Sequence, residues 1–287
     1  MKVTFTKLPK SSYAQEALGP WSGYRLESDN ILLAPIVPER DLKTMWDVYA
    51  KNDGLWQFFP CGDQSTFEDF CRTKRAEFDP VNNYFSWAIY LKVPEGDAEG
   101  ASGTNGNVSI AAAGPQMPKT KKVCVGGVSL LDITLSTRRF EIGAIWFDRA
   151  VHGTFVMLET NYLLLRFCFD AMQAGRVQWK CHHGNIASQK AALKLGFQFE
   201  GCLRKHILHH DGTWRNSMFY SMTDDDFYGR EEPTTHARKG LDVAKAGADA
   251  IAQAGTHVSQ GAERRLEELI ADRKKNGKPV PESVFHR

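Results

Sequence analysis

No stretch of the chain approaches the roughly 20 consecutive apolar residues that a transmembrane helix needs, so a membrane role is not expected. Met1 to Ala17 carries Lys and Ser but no apolar h-region, which argues against a secretory signal and for a cytoplasmic protein. Cysteine is sparse and scattered: six in 287 residues (Cys61, Cys71, Cys124, Cys168, Cys181, Cys202), with no C-x-x-C and no paired spacing. That excludes a disulfide framework and suits free thiols in a reducing compartment. His182-His183 and His209-His210 have no cysteine partners at ligand spacing, so no metal is expected. Charge of one sign is lacking too. Thirty-six Lys and Arg face 34 Asp and Glu, leaving +2, and no broad field points at nucleic acid or a membrane surface. A P-loop, a G-x-S-x-G elbow, a kinase signature set and H-E-x-x-H are all missing.

What remains is 42% hydrophobic, enough to bury one large core without staples. Residues 1–22 are punctuated by Ser, Lys and Pro and read as a lead-in. Ile31 to Ala34 reads as the first strand, closed by Pro35 and Pro38. Leu42, Met45, Trp46 and Tyr49 at three- and four-residue spacing predict a helix over 39–50. Ser65-x-x-Glu68 has the form of a capping box and opens a second helix over 66–78. Strands follow at 85–91, 123–133, 140–147 and 176–182, with a nearly all-apolar helix over 154–170 between the last two. Asn185 as N-cap and Gly196 as stop bound another helix, and Asp211-Gly212 turns a final hairpin. Residues 93–122, rich in Gly, Ala, Ser and Asn, read as a flexible insertion. Beyond a polar linker starting at 229, the segment 236–287 is Ala-, Lys-, Glu- and Arg-rich with a sparse stripe of Leu266, Leu269 and Ile270. It either packs on the domain or contacts something else, a homodimer partner included, and a solvated helix is its default.

The informative stretch runs from Phe140 to Phe219. A strand enters a short loop with Gly153, and a buried helix starts at once. A helix N-terminus presents unpaired N–H groups and the positive end of the macrodipole, so such a loop can cradle a pyrophosphate. Further on stand Asn185 with Ser188, Gly196-Phe197 and Glu200-Gly201. With Glu141-Ile142-Gly143, Trp146, Gly153-Thr154 and Glu159, this order resembles the GNAT superfamily of acyl-CoA N-acyltransferases, in particular its RimJ/RimL-like branch. The likeness covers Tyr24 to Tyr228 and is densest in the second half.

The resemblance implies an α/β fold over residues 23–228: a twisted, mixed, mostly antiparallel sheet with helices on both faces, here with a C-terminal helical extension. It implies acetyl transfer from acetyl-CoA to a primary amine by direct attack in a ternary complex. The amine is either a protein N-terminus or a small molecule such as an antibiotic, polyamine or amino-acid derivative. Donor contacts fall on Ile145, Trp146 and Phe147 at the end of the strand, on Arg149, His152, Gly153, Thr154 and Phe155 in the turn, and on Asn185 and Ser188. Attack on a thioester develops an oxyanion and then a thiolate, so donors placed where those charges appear accelerate it. Many relatives use a tyrosine four residues before the Gly-Phe pair; that position is Ala192, which leaves Ser188 as the candidate acid. Glu141 is the candidate base and His182 the alternative. Trp56, Phe58 and Phe59, with Glu141, would form the acceptor wall.

Three departures stand out. Phe155 occupies the third small position of the turn, Ala150 a place where Gln or Arg is common, and Met157 a usual Asn. They motivate a rival reading, a degenerate domain that binds acyl-CoA or a protein partner without turnover.

Overall fold

The computed structural model describes residues 1–9, 23–52, 54–55, 57–60, 64–77, 84–94, 120–230 and 261–285. Nine strands form one sheet in the order β1-β2-β3-β4-β5-β6-β7-β9-β8. They are β1 Thr4–Lys7, β2 Tyr24–Glu27, β3 Ile31–Pro35, β4 Phe85–Pro94, β5 Thr120–Thr134, β6 Arg139–Phe147, β7 Arg176–His182, β8 Gln198–Leu208 and β9 Trp214–Thr223. All neighbours pair antiparallel except β6 and β7, which run parallel over only three residues, Arg139–Glu141 against Arg176–Gln178. The expected lead-in therefore contributes an edge strand, since Thr4–Lys7 pairs with Tyr24–Glu27. Its short polar run carries no alternation that would have shown this. The expected insertion is shorter at both ends because β4 and β5 pair out to Pro94 and Thr120; residues 95–119 lie outside the described residues, as do 10–22 and the linker 231–260.

Helices cover both faces. On one, α1 (Pro38–Tyr49) and α2 (Phe67–Glu77) bury Met45, Tyr49 and Phe70 against Ala88, Cys124 and Trp146. Helix α1 starts where Pro38 supplies a preset φ at the first turn and Asp41 accepts the Val37 N–H at 2.7 Å. The cap of α2 stands one residue later than the Ser65-x-x-Glu68 spacing suggests: Thr66 Oγ1 accepts the Asp69 N–H at 3.1 Å. On the other face, α3 (Val156–Arg166, continued by a wide π turn over Phe167–Ala171), α4 (Ile186–Leu195) and α5 (Asp224–Tyr228) close the main core. Helix α4 has the expected ends, with Asn185 Oδ1 accepting the Ser188 N–H at 3.0 Å and Gly196 left-handed at φ 99°.

The extension packs on the domain. Helix α6 (Gly261–Asn276) lays Leu266 and Ile270 into the main core, and Val284 of the short α7 (Glu282–Phe285) follows them. Its apolar stripe is thus spent inside the molecule. Polar contacts fix its register on α3: Tyr162 Oη donates to Glu267 at 2.6 Å, Arg166 pairs with Glu263 at 3.0 Å, and Lys274 Nζ reaches Glu159 at 2.7 Å. Glu159 is fully buried and also accepts from Ser28 Oγ at 2.7 Å and the Asn30 N–H at 3.1 Å.

Two bulges shape the sheet where the site lies. Between the pairs Gly127↔Trp146 and Ser129↔Gly143, Ala144 and Ile145 stand against Val128 alone, with Ala144 at φ 47°. A second lies between Leu131↔Glu141 and Thr134↔Arg139, with Asp132 at φ 48°. Bulges bend a strand and re-aim its side chains. Gly126 permits the approach of β5 to β6: a Cβ there would stand 2.3 Å from the Trp146 carbonyl oxygen.

Candidate active site

Because β6 and β7 pair no further than Glu141↔Gln178, a cavity of about 830 Å³ opens between their carboxyl-terminal halves. One wall is β6 and the turn that follows it. The other is β7, the β8–β9 hairpin and the connection between α1 and α2. Helix α4 contributes Asn185, Ala187 and Ser188.

The first wall is mostly backbone. After β6, a single 3₁₀ turn (Arg149–Val151) is capped by Asp148, and the chain passes Gly153 at φ 80° into α3. Thr154 fastens this turn from within, donating its N–H to the Val151 carbonyl at 3.2 Å and its hydroxyl at 2.7 Å. The Gly153 and Phe155 N–H groups have no partner among the described residues. Phe155 turns its ring away from the cavity, into a half-buried position 5.2 Å beneath Lys274 Nζ. Ile145, Trp146, Phe147, Arg149, His152 and Gly153 line the cavity, whereas Thr154 and Phe155 do not. Trp146 is buried against Tyr49, with ring centroids 5.1 Å apart. Two cations of the extension sit on the outside of the turn: Arg273 Nη1 donates to the Gly153 carbonyl at 3.2 Å and Lys278 Nζ to that of His152 at 3.3 Å.

At the vertex sits Glu141, 3% exposed, with Lys180 Nζ at 2.7 Å and Gln178 Nε2 donating at 3.0 Å. Burial pushes its carboxyl up to about 7, against the opposing pull of Lys180. Lys180 also holds Asp132 at 2.5 Å, a contact that the bulge in β5 makes available. Ser188 Oγ accepts the Trp179 indole N–H at 2.9 Å, and burial holds the Cys181 thiol of the same wall above its ordinary range.

The second wall is side chains. His182 Nδ1 accepts the Gly184 N–H at 2.9 Å, so the neutral ring carries its proton on Nε2. The ring packs on Phe58, centroids 5.3 Å apart, and stands 5.6 Å from His209. Burial lowers the pKa of His182, with His183 and Arg215 adding to the effect. Phe59 lines the same wall, while Trp56 lies outside the described residues.

Sequence reasoning passed over Lys180, Gln178, Asp132 and Arg215. For the first two a signal existed: Gln178, Lys180 and His182 alternate with Val177, Trp179 and Cys181, the period of a strand with one polar face. Asp132 was hidden by its bulge, and Arg215 looked like any hairpin cation. Among the described residues, no cluster of three or more His, Cys, Asp and Glu could hold a metal ion, and no helix is long and apolar enough to cross a membrane.

The family described as Acetyltransferase (GNAT) domain matches residues 30–198. Among curated proteins, "Probable N-acetyltransferase YjcK" of Bacillus subtilis (strain 168) is 24% identical over 102 residues, or 36% of this chain. The chain spans only 56% of that relative's length. A GNAT-family structure from Chromobacterium violaceum superposes with a TM-score of 0.57 at 21% identity, covering 76% of this chain and 94% of that one. A GCN5-related N-acetyltransferase from Brucella melitensis gives 0.55 at 18% identity over 70% and 79% of the two chains. RimL, a ribosomal L7/L12 alpha-N-protein acetyltransferase, gives 0.51 at 15% identity over 68% and 91%. These structures share the fold; the family assignment rests on the match over residues 30–198, more than half the chain. The chain belongs to the GNAT acetyltransferase domain family.

Proposed function

We propose that the protein transfers an acetyl group from acetyl-CoA to a primary amine by direct attack within a ternary complex. The observation that carries this reading is a left-handed glycine turn and a buried carboxyl group opening on one cavity. The turn offers the Gly153 N–H at the positive end of α3, which suits a diphosphate. Arg149, Arg273 and Lys278 add positive charge around it. The bulge at Ala144 lifts the β6 backbone out of the ladder, so its polar groups can hold the extended pantetheine arm. Asn185 keeps its amide nitrogen for the same arm, since its cap uses Oδ1.

On the acceptor side, Glu141 takes the proton the amine must lose. Its raised pKa makes it a stronger base than an ordinary carboxylate while leaving it substantially ionised near neutrality. His182 suits a different role. With Nδ1 occupied by Gly184, it offers an Nε2–H donor and a flat surface rather than a base. The carbon–nitrogen bond forms as the carbon–sulfur bond breaks. Ser188 then donates a hydrogen bond to the departing thiolate, its orientation held by the Trp179 indole. Of the departures that motivate a domain without turnover, Phe155 lies outside the cavity, which favours the catalytic reading, while Met157 lines it.

Calorimetric titration with acetyl-CoA and with CoA tests the donor half, and thiol release across an amine panel tests the rest. Micromolar binding of both ligands is expected. Failure of both to bind would overturn the proposal.

A further inference from the structure

One group in the second wall has no role in acetyl transfer as described. Arg215 of β9 is 8% exposed and lines the cavity. Its Nε donates to Ser217 Oγ at 3.0 Å, and neither Nη nitrogen has a partner among the described residues. The acids that could neutralise it are taken: Lys180 holds both Asp132 and Glu141, at 2.5 and 2.7 Å. An arginine withdrawn this far from water normally sits opposite a carboxylate or phosphate, because its desolvation is otherwise uncompensated. Its planar fork matches such a group through two parallel hydrogen bonds.

A second observation lies beside it. His209 is 9% exposed, and its buried Nε2 has no hydrogen-bond partner among the described residues. Its ring stands 5.6 Å from that of His182, which lines the cavity. His206 Nδ1 shares the Ser217 hydroxyl with Arg215, at 3.0 Å. The wall therefore presents a buried cation and the Nε2–H of His182, with His209 packed near the latter and the two acids that line the pocket already paired to Lys180.

We propose that Arg215 is an anion subsite of the acceptor pocket, and that the acceptor is an amine carrying a carboxylate on the same molecule. This rests on the acetyl-transfer reading above. Glu141 receives the amine, Arg215 clamps the carboxylate, and Phe58 with His182 forms the floor between them. Two sources present this chemistry: a free amino acid, through its α-carboxylate, and a peptide beginning with Asp or Glu, through its side chain. A polyamine does not, and the cation would repel it.

The test uses the full chain, acetyl-CoA and thiol release. Free amino acids are paired with their carboxamides, and peptides beginning with Asp or Glu with those beginning with Asn or Gln. At least a tenfold higher kcat/KM for the carboxylate member of one pair set is expected, and which set responds identifies the source. In Arg215→Gln the ratio should fall toward one, chiefly through KM, and Arg215→Lys should recover part of it. Unchanged acetyl-CoA affinity by calorimetry shows that the variants are folded. A ratio at or below one in the unsubstituted protein, or a ratio that survives Arg215→Gln, overturns the subsite. So does a protein that binds acetyl-CoA and acetylates polyamines or amides but no carboxylated amine. Loss of acetyl-CoA binding in the unsubstituted protein would instead sink the reading on which the subsite rests.

Discussion

Along β6 and the Gly153 turn, the cavity is made of backbone: a bulge at Ala144, a left-handed glycine, and an N–H group left over by the start of a helix. Across from it, along β7 and β9, it is made of side chains drawn from separate segments, Lys180, His182, Arg215 and Phe58. A backbone wall needs particular conformations and tolerates many residues, so it can be shared widely within a family. A side-chain wall needs particular residues and belongs to one chain. On the proposed function, the first wall serves the donor and the second the acceptor, and each can be attacked on its own.

The largest effect is expected at the vertex. Glu141→Gln should lower kcat/KM by about 10²- to 10³-fold while acetyl-CoA affinity stays within a factor of two, the signature of a lost general base. The pH profile sharpens the point. With the carboxyl pushed up to about 7, the rate should rise with pH and level off above that value. Removing the ammonium that opposes the shift, as in Lys180→Met, should move this limb to higher pH. The stability sign is the reverse: Glu141 binds its proton more tightly in the folded chain, so its contribution to stability falls as pH rises from the ordinary carboxylate range through about 7. A chemical-denaturation series across that window would show it.

Next comes the backbone wall. Gly153→Val should weaken acetyl-CoA binding about tenfold or more, with kcat at saturating donor largely kept. A Cβ there would meet only Lys278, at 3.8 Å, so the penalty comes from holding a β-branched residue at φ 80°. Calorimetry against steady-state kinetics separates the two quantities. Ser188→Ala is expected to cost about tenfold in kcat. It should also cost about 1–2 kcal/mol in stability, because the buried Trp179 N–H loses its acceptor. The smallest effect belongs to the cations outside the turn. Arg273→Gln with Lys278→Gln should weaken acetyl-CoA about three- to fivefold and flatten its dependence on salt, since both charges act across solvent.

The same division explains what could be read from the amino-acid order. The strand–turn–helix run from Glu141 to Leu165 and the Asn185–Gly196 helix were legible because periodicity, an N-cap and glycine stops are local signals. Ser188, Asn185, Gly153 and Glu141, named from the resemblance, line one cavity. Strand β1 was not legible, since four residues of Thr-Phe-Thr-Lys gain their partner only through the sheet. Arg215 was missed for a related reason: its significance is that no acid pairs with it among the described residues, and that depends on Asp132 and Glu141 pairing with Lys180 instead. Asp132 reaches Lys180 through a positive-φ bulge that alternation along β5 does not predict.

Glu159 has a bearing on how the molecule assembles. Its carboxylate, fully buried, is held by Ser28, Asn30 and Lys274, groups from near both ends of the described chain, and the Ser28 contact alone spans 131 residues. Closing loops of that size is slow, because chain entropy is lost before the contact forms. A carboxylate cannot give up its water until its partners arrive, so the burial of Glu159 belongs to the last stage of folding. The extension is then no appendage to a finished domain. A chain ended before Lys274 would complete its sheet and still keep α3 hydrated along the side where that ammonium should dock.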